Sequence, residues 1–256
     1  MPSPALSAVD AALLDANRLF VSYSDTGEYL ERAGLALVSC GLPVAEMNWG
    51  FLKPPYRDVP AAAAFAREYF DGRRFPFAVT FPQADAELCA SQLAGAGWRT
   101  ARDPSPGMTL PISPGLAIPA CTLDVREVRT PDELLAYREA AFRGFGLPMA
   151  GAPIFLNERV LALPQVRMYA GWIGDTVVST SMLAVTDSVA GIYWVSTLES
   201  HRGKGYGESL TWACVAAGRD RGCSVASLQA SKLGRPVYAR MGFAHALDYA
   251  WWAPLA

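Results

Sequence analysis

The chain is poor in the residues on which several chemistries depend. It has two histidines, His201 and His245, and no HExxH pair, so a zinc hydrolase or a histidine-rich metal site is hard to build. No metal is expected. Its five cysteines (Cys40, Cys89, Cys121, Cys214 and Cys223) are odd in number and include no CxxC, which favours reduced thiols over a disulfide framework. Neither a GxSxG elbow nor a GxxxxGKS/T loop occurs, which argues against serine hydrolases and P-loop NTPases. No apolar run approaches the ~18 residues of a membrane span. The N-terminus has no basic leader, and Asp10 and Asp15 interrupt its apolar stretch. A cytoplasmic protein without signal peptide or membrane association is expected. The 22 basic and 24 acidic residues leave a net charge of −2, which speaks against a basic surface for nucleic acid. Lysine is scarce: of Lys53, Lys204 and Lys232, two fall in one short region.

What is present describes one large unit or two modest ones. Apolar residues make up 52% of 256 positions, enough to fill a core. The stretch from Asp103 to Ala120 places five prolines in eighteen residues and reads as a stiff connector, because proline cannot continue a helix or a central strand. It separates an N-terminal unit, residues 1–112, from a C-terminal unit, residues 121–256. In the second, LDVREVRT reads as a strand, and Thr130 caps a helix that begins Pro131-Asp132-Glu133. Three strand-like runs follow, VRMYAGWIG, TVVSTSMLAV and GIYWVSTL, and then a glycine-rich turn into a helix. The strand CSVASLQA, a short helix through Tyr238 and a final strand, LDYAWWAPL, complete it. This order predicts an α/β protein with a mixed, mostly antiparallel sheet flanked by helices. The first unit is a weaker echo: a helix, the strands GLALVSC and PVAEMNWGFL, the helix PAAAAFAREYF, the strand PFAVTF and the helix DAELCASQLAGAGW. Where a glycine-rich turn would precede its helix stands PPYRDVP, which cannot offer a run of free amides. We read it as the same fold duplicated without a cofactor site.

The segment that carries chemistry runs from Val195 to Phe243. Arg202-Gly203-Lys204-Gly205-Tyr206-Gly207 lies between a strand and a helix, and its alternate glycines let the backbone curl so that several N–H groups point one way. With the helix N-terminus behind it, such a turn suits a pyrophosphate. Between His201 and Arg240, seven basic residues against two acidic ones also suggest a polyanionic ligand, although Arg219 and Arg221 are explained by the helix dipole alone. The spacing excludes a dinucleotide fingerprint, since Glu208 stands where the third glycine would be, and GKS/T is absent.

The spacing RxxGxG resembles the pyrophosphate motif of the GNAT superfamily, the acetyl-CoA-dependent N-acetyltransferases. SLQASKLGRPVYARMGF resembles its second signature, with Ser231 at the usual Asn, Gly234 at the usual Ala, and Tyr238 ahead of Gly242-Phe243. The resemblance covers the C-terminal unit. It implies two GNAT-like domains in tandem, the first degenerate, packed as a monomeric pseudo-dimer. It implies acetyl-CoA as cosubstrate, held by Val195, Ser196, Thr197, Arg202, Gly203, Lys204, Gly205, Tyr206, Gly207, Ser231 and Tyr238. Its catalytic groups would be the Val195 amide, facing the acetyl carbonyl, and Tyr238, protonating the leaving thiolate. The implied reaction acetylates a primary amine of a small molecule or an amino-terminal substrate. The alternatives are a noncatalytic acyl-CoA-binding or interaction module, and a longer acyl donor. Glu199 and Asp187 are candidate bases, each with a bland reading as a loop carboxylate; His201 and His245 read as surface or packing residues. An acceptor cleft is expected between the halves, flanked by Trp172, Tyr193 and Trp194 and walled by MNWGFL and AYREAAFRGFG.

Overall fold

Local chemistry sets the elements. Thr130 accepts a hydrogen bond from the Glu133 amide at 3.2 Å while the Glu133 carboxylate accepts from the Thr130 amide at 3.0 Å, a reciprocal cap that starts α4 (Pro131–Phe145). Gly146, at φ +68°, ends it in the left-handed conformation open to glycine. The computed structural model describes residues 4–121 and 123–255. Ahead of α4 come α1 (Pro4–Ser22), β1 (Glu28–Arg32), β2 (Leu35–Ser39), β3 (Asn48–Leu52), α2 (Val59–Asp71), β4 (Ala78–Pro82), α3 (Ala86–Gly95), β5 (Trp98–Pro111) and β6 (Asp124–Glu127). After it come α5 (Ala152–Phe155), α6 (Glu158–Leu161), β7 (Val166–Ile173), β8 (Thr176–Thr186), β9 (Val189–Thr197), α7 (Tyr206–Asp220), β10 (Val225–Gln229), α8 (Arg235–Arg240) and β11 (Ala244–Pro254). Among the described residues no helix is long and apolar enough to cross a membrane.

All eleven strands join one mixed sheet in the order β1-β2-β3-β4-β11-β5-β10-β9-β8-β7-β6. Only β3–β4 and β9–β10 pair in parallel. The α/β expectation holds. The element order helix, three strands, helix, strand, helix, strand runs twice, from α1 to β5 and from α4 to β11. Each run ends in a strand that crosses over: β5 pairs with β10, and β11 pairs with β4. The two crossed strands pair with each other at the centre of the sheet, from Ala244 opposite Thr109 to Pro254 opposite Trp98.

The stiff connector is corrected here. Residues 103–111 continue β5, and the link between the runs begins only at Ile112. Pro104 and Pro106 are tolerated because β10 pairs only with Gly107–Pro111, so the earlier half of β5 has β11 as its single neighbour, and Pro111 is the last residue of the strand. There the Pro106 carbonyl accepts from the Ala230 amide at 2.8 Å, and the missing Pro106 N–H faces a chain that has already left the sheet. Three further elements escape the pattern in the sequence. β1 is mostly exposed and charged, EYLER, so it shows no apolar alternation, and the short α5 and α6 lie in a loop rich in Gly and Pro.

The two faces of the sheet hold separate cores. One gathers α1, α4 and α5 with Met168, Met182 and Ala184; the other gathers α7 and α8 with Leu183, Ile192 and Leu228. Strand alternation sends neighbours such as Met182 and Leu183 to opposite faces.

Because each run completes its sheet with the other's last strand, residues 1–112 or 121–256 expressed alone should remain unfolded or aggregate. The intact chain should unfold in one calorimetric transition. Two separate transitions, or a soluble fragment with native far-UV dichroism, would show that the exchange is dispensable.

Candidate active site at the gap between two parallel strands

β9 pairs with β10 only from Val189 to Gly191, opposite Val225 to Ser227, although the strands continue to Thr197 and Gln229. The ladder stops where β9 bulges. Trp194 takes φ +54°, a left-handed backbone that a bulky residue adopts at a cost of about 1–2 kcal/mol. The register with β8 shifts there, from Thr180 opposite Ser196 to Met182 opposite Tyr193. Side-chain hydroxyls hold the displaced segment. Thr180 Oγ1 donates to the Trp194 carbonyl at 2.9 Å and meets Ser196 Oγ at 2.9 Å; Ser179 Oγ donates to the Ser196 carbonyl at 2.7 Å. All three side chains are buried.

The bulge has two consequences. Tyr193 and Trp194, consecutive in sequence, both pack on the α1/α4 face, while Val195 packs on the α7 face. The Leu198 amide donates to Val178 at 3.0 Å, so Leu198 and Ser196 face β8 and the amides of Val195 and Thr197 turn to the open gap.

Beside the gap lies the glycine turn. Gly203 and Gly205 have φ of +76° and +78°. No amide from Gly203 to Glu208 meets an acceptor among the described residues, and α7 starts without a side-chain cap. A methyl added at Gly207 would sit 3.4 Å from Thr197 Oγ1 and 3.8 Å from Val195 Cγ1, which places the turn against the gap. The matching helix of the first run is different. Asp58 accepts from the Ala61 amide at 2.9 Å, and Pro60 has no N–H, so α2 carries its own anion.

The remaining sequence candidates fall out as follows. Tyr238 is buried on α8, its ring 5.9 Å from that of Phe243. Burial pushes its phenol up to about 12, the Thr211 hydroxyl pulling part of the way back. Thr211 in turn donates to the Gly207 carbonyl at 2.8 Å. A Cβ at Gly234 would stand 2.8 Å from the Tyr238 ring, so glycine at the usual alanine position makes room for the tyrosine. Ser231 Oγ accepts from the Gly234 amide at 3.1 Å. Tyr206 packs beside Leu123, Val178 and Leu210. Ser196 points its hydroxyl toward α4.

Three expectations are corrected. The basic excess is largely structural: Arg202 donates to the Thr197 and Gly144 carbonyls, Arg219 to Leu116, Arg221 to Pro164 and Arg240 to Pro236, which leaves Lys204, Lys232 and Arg235 without hydrogen bonds among the described residues. Asp187 lies in the β8–β9 turn, about 25 Å along the strand from Val195 at ~3.3 Å per residue, too far to act on it. Trp172 lies on β7 with its ring 5.2 Å from the Arg126 guanidinium carbon, and it is not among the residues that line the cavity beside Tyr193 and Trp194. His201 and His245 bond locally, to Ser200 and Asp248.

A cavity of about 390 Å³ opens on the α1/α4 face of the gap. Tyr193 and Trp194 line it with Gln229 from β10; Met47, Trp49 and Phe51 close it from the first run, and Phe145 from α4. The walls expected from MNWGFL and from AYREAAFRGFG are therefore present, between the runs. Gln229, Arg102 and the Ser179-Thr180 pair were not singled out in the sequence. A run of hydroxyls, Ser179-Thr180-Ser181, in an otherwise apolar strand was the available signal for the last.

The model of the Acetyltransferase (GNAT) family matches residues 133–243, the stretch that holds the bulge, the glycine turn and Tyr238. The whole chain is similar to a GCN5-related N-acetyltransferase from Kribbella flavida, with 18% identity and a TM-score of 0.73 over 100% of this chain and 97% of that one. A second GCN5-related N-acetyltransferase, from Sphaerobacter thermophilus, gives 15% identity and 0.65 over 97% and 91%. A tandem GNAT protein from the clavulanic acid biosynthesis pathway gives 16% and 0.59 over 98% and 96%. At these identities the likeness defines the fold. No curated protein matches the chain. The family match and the named neighbours support an acyltransferase enzyme of the GNAT fold.

Thr180→Val keeps the shape of the side chain but strips the Trp194 carbonyl of its buried donor. It should cost about 1–3 kcal/mol of stability in urea unfolding. A loss within experimental error would mean that the hydroxyls do not hold the bulge.

Proposed function

We propose that the chain is an N-acetyltransferase that moves an acetyl group from acetyl-CoA to a primary amine. The observation that carries this reading is the row of free amides from Gly203 to Glu208 set against a gap in the sheet. Such amides suit a pyrophosphate. The Thr197 amide, with the Ser231 hydroxyl, would hold the pantetheine arm. Acetyl-CoA supplies an activated thioester. The Val195 amide donates to the acetyl carbonyl oxygen, where negative charge gathers as the amine attacks. Tyr238 gives its proton to the departing sulfur, and its raised pKa keeps that proton in place at physiological pH. The reading uses no metal.

Residues 121–256 form the acetyltransferase unit on this reading, and residues 1–112 are a degenerate copy, the pair making a single-chain pseudo-dimer. The repeated element order and the Asp58 cap support it. A noncatalytic acyl-CoA-binding module would also need the amides, and Tyr238 would then serve it only as a core residue, whereas its phenol is linked through the Thr211 hydroxyl to the start of α7. That observation favours catalysis.

Calorimetric titration should show acetyl-CoA binding to the wild type and none to a folded Gly205→Asp, Gly207→Asp double variant. Tyr238→Phe should lower kcat by about 10²–10⁴ with little change in the donor's Kd. Unchanged turnover would refute the acid role, and absent binding by the wild type would refute the reading as a whole.

Among the described residues, neither lip of the gap, Ile192–Thr197 or Leu228–Ser231, carries a carboxylate or an imidazole. On this reading the reactive free amine comes from solution, while Glu199 in the turn after β9 and Glu46 on the cavity wall are the carboxylates that the opposite outcome would point to. kcat/KM should rise about tenfold per pH unit, level off at the substrate's own amine pKa, and show no falling limb below pH 10 from Tyr238, whose pKa lies near 12. A limb that stays near pH 6–7 whatever amine is used would reveal a protein base instead.

A further inference from the structure

The acceptor cavity is largely apolar; Asn17, Thr80 and Tyr249 also line it, and the two polar groups that lie at separate points along β5 and β10 are Arg102 and Gln229. At the gap, Gln229 ends β10, and its Nε2 is buried with no hydrogen-bond partner. A buried unpaired donor is costly, so an amide in that state marks where an acceptor atom of a bound molecule belongs, such as a carbonyl oxygen at the reacting end. Trp194 on the opposite lip belongs to the same wall.

At the other point stands Arg102 on β5. The residue is exposed, with its guanidinium carbon 3.8 Å from the centre of the Trp251 ring on the cavity wall. Among the described residues it has neither a hydrogen-bond acceptor nor an ion-pair partner. Glu46, on the turn before β3, also lines the cavity and acts on Arg102 electrostatically, but not at ion-pair distance. A planar fork of donors left open is suited to a carboxylate or phosphate.

The separation follows from the register. Gln229 faces Gly107 across the β10–β5 ladder, and Arg102 lies five residues earlier on β5. At ~3.3 Å per residue that is at most about 16 Å. Trp49, Phe51 and Tyr193 line the space alongside.

We propose that the acceptor is an elongated amphipathic primary amine: the amine meets the gap beside Gln229, an apolar or aromatic body fills the cavity, and an anionic group at the far end is held by Arg102. The position of the reacting amine rests on the acetyltransferase reading; the binding preference does not. Small hydrophilic amines leave the aromatic walls uncovered, and polycations such as spermidine bring charge of the wrong sign to Arg102.

The test is calorimetric titration of the full chain, without acetyl donor, with a biphenyl bearing an aminomethyl group at one end and a carboxylate at the other. The same biphenyl amine without carboxylate and spermidine serve as comparators. The wild type should bind the carboxylated probe about tenfold or more tighter than the uncharged-end analogue. Arg102→Gln should erase that ratio without weakening the analogue, Arg102→Lys should restore part of it, and Glu46→Gln should keep or raise it. A ratio near one, loss of binding in Glu46→Gln but not in Arg102→Gln, or preference for spermidine would overturn the proposal. Thiol release is then measured with acetyl-CoA. Arg102-dependent binding without release from any amine sinks the acetyltransferase reading and leaves the binding inference standing. Release with spermidine alone does the reverse.

Discussion

The left-handed turn at Trp194 is the constraint on which the site depends. A tryptophan held at φ +54° is unfavourable by itself, and buried hydroxyls on β8 keep it there by satisfying the carbonyls that the shifted ladder abandons. Without the bulge, β9 and β10 could pair to their ends, and the sheet would be a closed wall between its two cores. With it, Val195 and Thr197 turn unpaired amides into an opening, and one extra aromatic side chain arrives on the opposite face. A single local distortion thus creates the passage between the glycine turn and the aromatic cavity, and also part of the cavity's lining.

The two runs of the chain show how little separates a binding turn from a blocked one. Both have a parallel strand pair joined by a helix, α2 between β3 and β4 and α7 between β9 and β10. In the second run, glycines with positive φ leave six amides without acceptors; in the first, Asp58 fills the helix end with its own carboxylate and Pro60 removes a donor. The difference lies in electrostatics and in backbone donors, since the architecture is shared.

That contrast was legible in the sequence, because glycine, proline and aspartate act locally. So were the helix start at Thr130, the alternating strands of the second run and the position of Tyr238. What escaped was set by distant partners. Pro104 and Pro106 argue against a strand in any local reading, and they lie in one because β10 ends before reaching them. The exchange of β5 and β11 has no local signature, since both strands look the same whichever sheet edge they join. Arg102 and Gln229 could not be singled out for the same reason. Each is an ordinary residue until the exchange carries β5 and β11 across, which sets Arg102 on Trp251, and the bulge stops the ladder short of Gln229.

The exchange also gives the first run a place in the cavity. The wall of the cavity facing Trp194 is made of Met47, Trp49 and Phe51 from the first run, and of Trp251, which the second run contributes only by lending β11 to the first. A GNAT-fold unit alone would have a gap opening to water on the acceptor side. With the first run in place, the space on that side of the gap is a walled cavity of about 390 Å³, on the face away from the glycine turn. The glycine turn and the gap belong to the second run, while both runs wall the cavity, and the two sides meet at one opening in one sheet.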